Sequence, residues 1–153
     1  MSIYKEIQAM HAEMRQWRQH FHQFPETAFE EVNTSQFISS KLKSFGLEVH
    51  EGLAKTGVVA TLSAGTSTKK MALRADMDAL FIEEKNELSY KSQNSGKMHA
   101  CGHDGHSAML LGAAKYLADH ADFNGTVYFI FQPAEEGRAG AKKMIDEGLF
   151  KLF

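Results

Sequence analysis

One segment, residues 126–131, restricts the possible folds more than any other part of this sequence. Its six residues, TVYFIF, form a continuous apolar and aromatic run that is bounded by Gly125 and Pro133. A strand with one solvated face alternates apolar and polar residues, so a run of this kind requires cover on both faces. We therefore predict a central strand with other elements packed on both of its sides.

The N-terminal sequence predicts a long helix that ends at Pro25. Its apolar residues recur at alternating spacings of four and three, which places them on one stripe of a helix. The members of the stripe are Ile3, Ile7, Met10, Met14, Trp17, Phe21 and Phe24. The stripe fits a helix packed on a core better than a coiled-coil seam, because a sustained coiled coil needs more heptads.

The remaining elements alternate between helices and strands. A second helix is predicted from about Asn33, where Gln36 could close a capping box, to a left-handed cap at Gly46. Further elements are strands at residues 57–62 and 71–75, a buried helix at 107–117 and a last helix at 140–147. This alternation predicts an α/β layered domain.

Composition and charge exclude several classes of protein. The 153 residues are 43% hydrophobic and 24% charged, which is typical of one soluble globular domain. The net charge of −2 supplies no excess of positive charge for binding nucleic acid or a membrane surface. No apolar run is long enough for a membrane span, and the charged N-terminus does not resemble a secretory signal. The single cysteine excludes an internal disulfide and fits a cytoplasmic location.

Three polar clusters follow predicted strands or precede a predicted helix. The first covers residues 74–78 (RADMD), the second 99–106 (HACGHDGH) and the third 132–137 (QPAEEG). In open α/β sheets, functional sites form in the loops beyond the C-terminal ends of the strands. These clusters are therefore the candidates for a functional site.

The second cluster contains the ligand types of a zinc or related transition-metal site. It packs a thiol, three imidazoles and a carboxylate into eight residues, and thiolate and imidazole suit zinc and its neighbours. Cys101 and His103 can converge on one ion if their loop is tight, which Gly102 and Gly105 permit. From the residues alone, a metal site and a buried structural cysteine with incidental surface histidines are about equally open.

Two further pairs allow both a chemical and a structural interpretation. Glu135 and Glu136 follow the strongest predicted strand, so one could bind a metal while the other acts as general base. They could equally be ordinary acids of a solvated loop. Arg74 and Asp76 could form a structural ion pair or could orient metal ligands.

His22 lies near the end of the first helix, where a positive side chain is favourable, and is not a catalytic candidate.

Five strings occur along the chain in a fixed order. They are RQHFHQFPETAFEE (18–31), TGVVATL (56–62), ALRADMDAL (72–80), MHACGHDGHSAMLLGAAKYL (98–117) and GTVYFIFQPAEEGRAGAKKMIDEGL (125–149). Over essentially the whole chain, the sequence resembles the N-terminal part of amidohydrolases related to hippurate hydrolase, N-acyl-amino-acid amidohydrolase and indole-acetyl-amino-acid hydrolase. These enzymes form the aminoacylase and carboxypeptidase-like group of metallopeptidases. MHACGHDGH and FQPAEE together carry most of the specificity of the resemblance.

The resemblance implies the fold and the site of this family. The fold is an α/β/α sandwich catalytic domain of a zinc-peptidase-like kind, with a smaller lid domain inserted in it. The site holds two divalent metal ions, usually zinc or manganese, with cobalt and nickel as other candidates. By the same resemblance Cys101 bridges the two ions, and His103 and Glu136 are further metal ligands. Glu135 is then the general base that activates the bridging water.

Three other motif residues surround the ligands in this interpretation. Relatives outside this subgroup have a His ligand where Arg74 stands, and a guanidinium stays protonated and cannot bind a cation. Asp76 matches an Asp that orients the ligands of those relatives, and it is assigned that supporting role. His106 belongs to the motif and is retained as a possible site residue.

The implied reaction is hydrolysis of the amide bond of N-acyl amino acids, with a small-molecule substrate and neither nucleic acid nor membrane as partner. In the family, further His ligands and the lid, which commonly supports a homodimer, follow the region matched here. We therefore expect residues 1–153 to be the N-terminal part of the catalytic domain, incomplete, without the lid and with little or no activity alone. The alternatives are a non-catalytic metal-binding or interaction fragment, and a cysteine hydrolase with Cys101 as nucleophile.

Overall fold

The computed structural model describes residues 2–153 and contains a four-stranded mixed sheet. The strands are β1 (Glu48–Leu53), β2 (Gly57–Ala64), β3 (Lys70–Asp76) and β4 (Gly125–Gln132), and their order across the sheet is β1-β2-β4-β3. Strand β4 pairs antiparallel with β2 and parallel with β3. The apolar run at residues 126–131 is therefore an interior strand, as its sequence predicts.

Helices cover both faces of β4. They are α1 (Ile3–Gln23), α2 (Val32–Ser44), α3 (His103–His120), α4 (Glu135–Arg138) and α5 (Gly140–Asp146), followed by a 3-10 turn at Leu149–Lys151. On one face, Phe129 and Phe131 are buried in a core with residues of α1, α2 and α3. On the other face, Tyr128 and Ile130 pack against Met144 of α5. These three layers confirm the predicted α/β/α sandwich.

The two edges of the sheet differ from its interior. Strand β1 was not predicted, because only Leu53 among its six residues is buried and no alternation marks it in the sequence. Strand β3 forms the other edge among the described residues, and its Met71 is 62% exposed. Of the two edge strands, the sequence therefore predicts β3, at residues 71–75, but not β1.

Helix α2 begins near Asn33 as predicted but without the predicted cap, and helix α3 begins earlier than predicted. The capping box at Asn33 and Gln36 is not formed, because α2 already begins at Val32 and the backbone N–H of Asn33 donates to Glu26. Helix α3 begins at His103 rather than at residue 107, since its polar first turn carries no apolar periodicity. None of the helices within residues 2–153 is both long enough and apolar enough to cross a membrane.

Candidate metal centre

Three chain segments meet beyond the C-terminal ends of β3 and β4. The two strands are parallel, and their last paired residues are Asp76 and Gln132. The chain leaves both strands at the same edge of the sheet, and the first turn of α3 reaches this place as well. All three polar clusters of the sequence therefore contribute to one site. It lies at the edge of the sheet where functional sites of open α/β sheets commonly form.

Cys101, His103 and Glu136 form a group that suits a metal ion. Each offers one ligand atom, and these atoms all lie within 4.8 Å of one another. Gly102 has φ 93°, a left-handed conformation that glycine adopts without strain, and it turns the chain into α3. The Oε1 atom of Glu136 is buried and has no hydrogen-bond partner within residues 2–153. A buried carboxylate oxygen without a donor is costly, so a cation fits this position.

The thiol of Cys101 is exposed, which excludes the buried structural cysteine that the sequence left open. Its hydrogen bond to Glu136, slight burial and the negative charges of Glu136, Glu135 and Asp76 raise the pKa of Cys101. The thiol is therefore protonated at neutral pH unless a cation reverses the local charge. The same environment argues against Cys101 as the nucleophile of a cysteine hydrolase, which requires a lowered pKa.

The ring of His103 is fixed by Asp78. Its Nδ1 atom lies 2.9 Å from the backbone oxygen of Asp78 and 3.2 Å from Oδ1 of the same residue. Two acceptors at Nδ1 place the proton there and leave the Nε2 lone pair for a metal. Nε2 faces Glu136 Oε1 at 3.7 Å and Glu135 Oε2 at 4.0 Å. Burial lowers the pKa of His103, but the hydrogen bond to Asp78 and the charges of Asp78 and Asp76 outweigh it, so the pKa is raised.

Asp78 is a residue of the candidate site that the sequence analysis did not single out. Its Oδ2 atom accepts a hydrogen bond from the backbone N–H of Glu136 at 2.9 Å, while Oδ1 faces His103. Burial raises the pKa of Asp78, but the hydrogen bonds from His103 and from the backbone of Glu136 and Glu135 outweigh it and lower the pKa. One carboxylate therefore orients two of the candidate ligands. Its place two residues after Asp76 is the available signal, because side chains two apart on an extended chain share one side.

Asp76, Arg74 and His106 form a second polar group beside the first. Asp76 Oδ2 accepts a hydrogen bond from Arg74 Nη1 at 2.9 Å, and Asp76 Oδ1 lies 2.6 Å from His106 Nδ1. Arg74 also donates from Nε to Gln132 Oε1 at 2.8 Å. Ligand atoms of Asp76, His103 and His106 lie within 4.8 Å of one another, so this group adjoins the candidate ligands. The structure therefore brings every site residue named from the sequence into one neighbourhood.

A buried network lies behind the candidate ligands. Asp104 Oδ2 lies 2.8 Å from His22 Nδ1 and accepts a hydrogen bond from Arg18 Nε at 2.9 Å. His22 Nε2 lies 3.1 Å from Glu84 Oε1. His22 thus links α1 to the first turn of α3 rather than complementing the end of its own helix. His99 is also buried, both of its ring nitrogens lack partners within residues 2–153, and burial lowers its pKa to about 4.

Comparison with known proteins places this geometry in a family. The sequence profile of peptidase family M20/M25/M40 matches residues 72–153. Hippurate hydrolase of Campylobacter jejuni is 51% identical over 153 residues, which are 100% of this chain and 40% of that protein. IAA-amino acid hydrolase ILR1-like 2 of Arabidopsis thaliana is 52% identical over 135 residues, covering 88% of this chain and 30% of that protein.

Solved structures agree with the sequence comparisons. The YXEP protein of Bacillus subtilis, a dinuclear metal binding peptidase from the M20 family, has a TM-score of 0.88 at 41% identity, covering 94% of this chain and 40% of that one. Aminobenzoyl-glutamate utilization protein from Klebsiella pneumoniae has a TM-score of 0.80 at 26% identity, covering 99% and 43%. The chain thus spans less than half the length of each of these relatives. The likeness confirms the predicted metallopeptidase fold.

Proposed function

Because this chain belongs to peptidase family M20/M25/M40, we propose that it supplies the metal-binding core of an enzyme that hydrolyses the amide bond of N-acyl amino acids. The observation that carries the proposal is the convergence of Cys101, His103 and Glu136, in which a buried carboxylate oxygen of Glu136 has no donor within the described residues. The substrate class is supported by the names of the relatives, which include hippurate hydrolase and N-acyl-L-amino acid amidohydrolase.

Cys101, His103 and Glu136 are the residues that would hold the metal. Their mixed thiolate, imidazole and carboxylate donors suit zinc or manganese, and cobalt or nickel as well. The chemistry that bound divalent ions supply is polarisation of the substrate carbonyl and a lowered pKa of the attacking water. Asp78 holds the proton of His103 on Nδ1 and accepts from the backbone N–H of Glu136, so the ring of His103 and the backbone of Glu136 are held before any metal binds.

Glu135 is the proposed general base. Its side chain is 43% exposed, whereas that of Glu136 is 26% exposed, so the first of these neighbours is the more accessible to water and substrate. The backbone leaves helical geometry at Glu136, with ψ 83°, which separates the roles of two adjacent acids. Glu135 would take the proton of the attacking water and pass it to the leaving amine.

The proposal extends to the partner, the compartment and the assembly. The proposed partner is a small-molecule N-acyl amino acid, the proposed compartment is the cytoplasm, and a homodimer is proposed for the longer form. The described ligand groups share His103 and number three residues each. We therefore expect residues 1–153 alone to hydrolyse hippurate slowly or not at all, since the resemblance assigns further His ligands beyond the matched region. Clear metal-dependent turnover by the purified chain would contradict this expectation.

Metal content tests the proposal directly. The purified chain is reconstituted with Zn²⁺ or Mn²⁺, dialysed and measured by elemental analysis beside the variants Cys101→Ser and Glu135→Gln. We expect stoichiometric metal in the wild type, loss of metal from Cys101→Ser because a ligand is gone, and retention by Glu135→Gln because that side chain is not a ligand. A wild type that retains no metal, or a Cys101→Ser variant that retains all of it, would contradict the proposed site.

A further inference from the structure

A carboxylate outside the metal centre, Glu31, contacts the loop that carries Glu135 and Glu136. Glu31 lies immediately before α2 and is fully buried, with 0% of its surface exposed. Its Oε1 atom accepts a hydrogen bond from the backbone N–H of Ala134 at 2.9 Å, and its Oε2 atom accepts one from Thr56 Oγ1 at 2.7 Å. The first of these bonds joins residues that are 103 positions apart in the sequence.

Ala134 is a position where the backbone requires such support. It has φ 54° and ψ 45°, a left-handed conformation that residues with a Cβ adopt rarely. This conformation turns the chain out of β4 and sets the direction in which Glu135 and Glu136 leave the sheet. The carbonyl oxygen of Ala134 accepts a hydrogen bond from the backbone N–H of Gly140 at 3.0 Å. The backbone N–H of Ala134 is thus held by Glu31, and its backbone C=O is held by the first residue of α5.

We propose that Glu31 is a positioning residue: through the Ala134 N–H it holds Glu135 and Glu136 in the orientation that metal binding and proton transfer require. This inference rests on the proposed function, because it assigns Glu31 to the same site. Glu31 itself touches neither metal nor substrate, and it acts through the backbone.

The surroundings of Glu31 support this role. Its hydrogen-bond donors named above are neutral, and burial raises the pKa of Glu31 although those hydrogen bonds lower it. Glu26 provides the comparison. It is also buried, but its side chain accepts from the backbone N–H groups of Asn33 and Thr34 at the start of α2, not from the loop that carries Glu135 and Glu136.

A Co²⁺ titration tests the inference, because cobalt bound to a thiolate gives a charge-transfer absorption that reports occupancy of the site without any assay of activity. The variants are Glu31→Asp, which is one methylene too short to reach both partners, and Glu31→Gln, which can still accept from Ala134 and donate to Thr56. Glu26→Asp is the matched control. We expect Glu31→Asp to weaken Co²⁺ binding about tenfold or more, and Glu31→Gln and Glu26→Asp to stay within about threefold of the wild type.

The outcomes separate this inference from the function on which it rests. A wild type that binds no Co²⁺ contradicts the proposed function. Equal affinity in the wild type and in folded Glu31→Asp contradicts the positioning role alone. An equal loss in Glu26→Asp also contradicts it, and so does a marked loss in Glu31→Gln, because the charge of Glu31 rather than its geometry would then matter.

If Glu31→Asp does not fold, amide hydrogen exchange in the wild type decides the question. Coupling between two sites is reciprocal, so Zn²⁺ must slow exchange of the Ala134 N–H if the bond to Glu31 supports metal binding. An exchange rate at Ala134 that is the same with and without Zn²⁺ would overturn the inference.

Discussion

Gly140, the first residue of α5, is packed against the backbone of the loop that leads to Glu135. A Cβ atom added there would lie 1.8 Å from the carbonyl oxygen of Pro133 and 2.8 Å from its carbonyl carbon. Non-bonded heavy atoms prefer about 3.5–4.0 Å, so either α5 or the loop would have to move by about 1 Å or more. Both obstructing atoms belong to the backbone, so a change of rotamer cannot relieve the contact. We therefore predict that Gly140→Ala is destabilising and shifts the loop.

The expected size follows from two opposing terms. Overpacking costs about 1–3 kcal/mol and occasionally more, and a backbone obstruction at this distance belongs at the upper end. Alanine in place of glycine within a helix returns at most about 1 kcal/mol. The net loss is about 2 kcal/mol or more, which for a chain of this length lowers Tm by roughly 4–8 °C.

Urea unfolding followed by circular dichroism measures this loss. Gly105→Ala is the matched control, because Gly105 lies within α3 and a Cβ there meets nothing within 4 Å. The control is expected to gain about 0.5–1 kcal/mol from helix propensity. If Gly140→Ala were as stable as the wild type, the close approach of α5 to Pro133 would be refuted. A loss of equal size in both variants would refute the steric explanation.

Three further predictions concern buried carboxylates. Asp78→Asn places an amide NH₂ opposite one of two N–H donors, His103 Nδ1 or the backbone N–H of Glu136. The affinity for Zn²⁺, measured in competition with a chromogenic chelator, should therefore fall about 10- to 100-fold. Unchanged affinity would contradict the orienting role. Burial raises the pKa of Glu31, so its carboxyl group holds a proton more tightly in the folded chain than in the unfolded chain. The stability of the fold therefore falls as the pH rises through the pKa that Glu31 has in the folded chain. Glu31→Gln should therefore raise the urea midpoint at pH 7 but not below about pH 4, and a gain independent of pH would count against this cause. Burial raises the pKa of Glu84, but its hydrogen bonds outweigh burial and lower it. The stability that Glu84 contributes is therefore complete above its pKa in the unfolded chain, and it is lost as the pH falls through its pKa in the folded chain. Glu84→Gln should make acid unfolding below about pH 5 less steep, and an unchanged acid transition would contradict the assignment.

The interior of the fold could be predicted from the sequence because burial leaves a local pattern. The run at residues 126–131 requires two covered faces, and Phe129 and Ile130 on opposite faces are indeed 0% and 7% exposed. Strand β1 leaves no such pattern, because its position is set by pairing with β2 rather than by burial of its own side chains. The start of α2 shows a related effect. Glu26, from the preceding turn, accepts from the backbone N–H of Asn33, the donor that Gln36 would have used in a local capping box.

The same distinction, between features with a local sequence pattern and features set by distant contacts, applies to the candidate site. The residue types and spacing of Cys101, His103, Glu135 and Glu136 made them candidates for metal chemistry, and the family resemblance gave each its expected role. The structure brings these four residues together. Asp78 and Glu31 could not be assigned a role, since their partners, which include the backbone N–H groups of Glu136 and Ala134, come near only in the folded chain. For Glu31 that partner is 103 residues away.

The pairing of β4 with both β2 and β3 has a consequence for synthesis of the chain. Lys70 of β3 pairs with Thr126 of β4, and within the described sheet β3 has no other neighbouring strand. At about 5–20 residues per second, the ribosome needs roughly 3–11 s to make the residues between these partners. During that interval β3 is complete but unpaired, so apolar residues that the folded chain covers, such as Leu73 and Ala75, are open to other nascent chains. Chaperones that recognise extended apolar segments are expected to bind residues 70–76 at this stage, and slower translation between residues 77 and 124 would prolong the exposure.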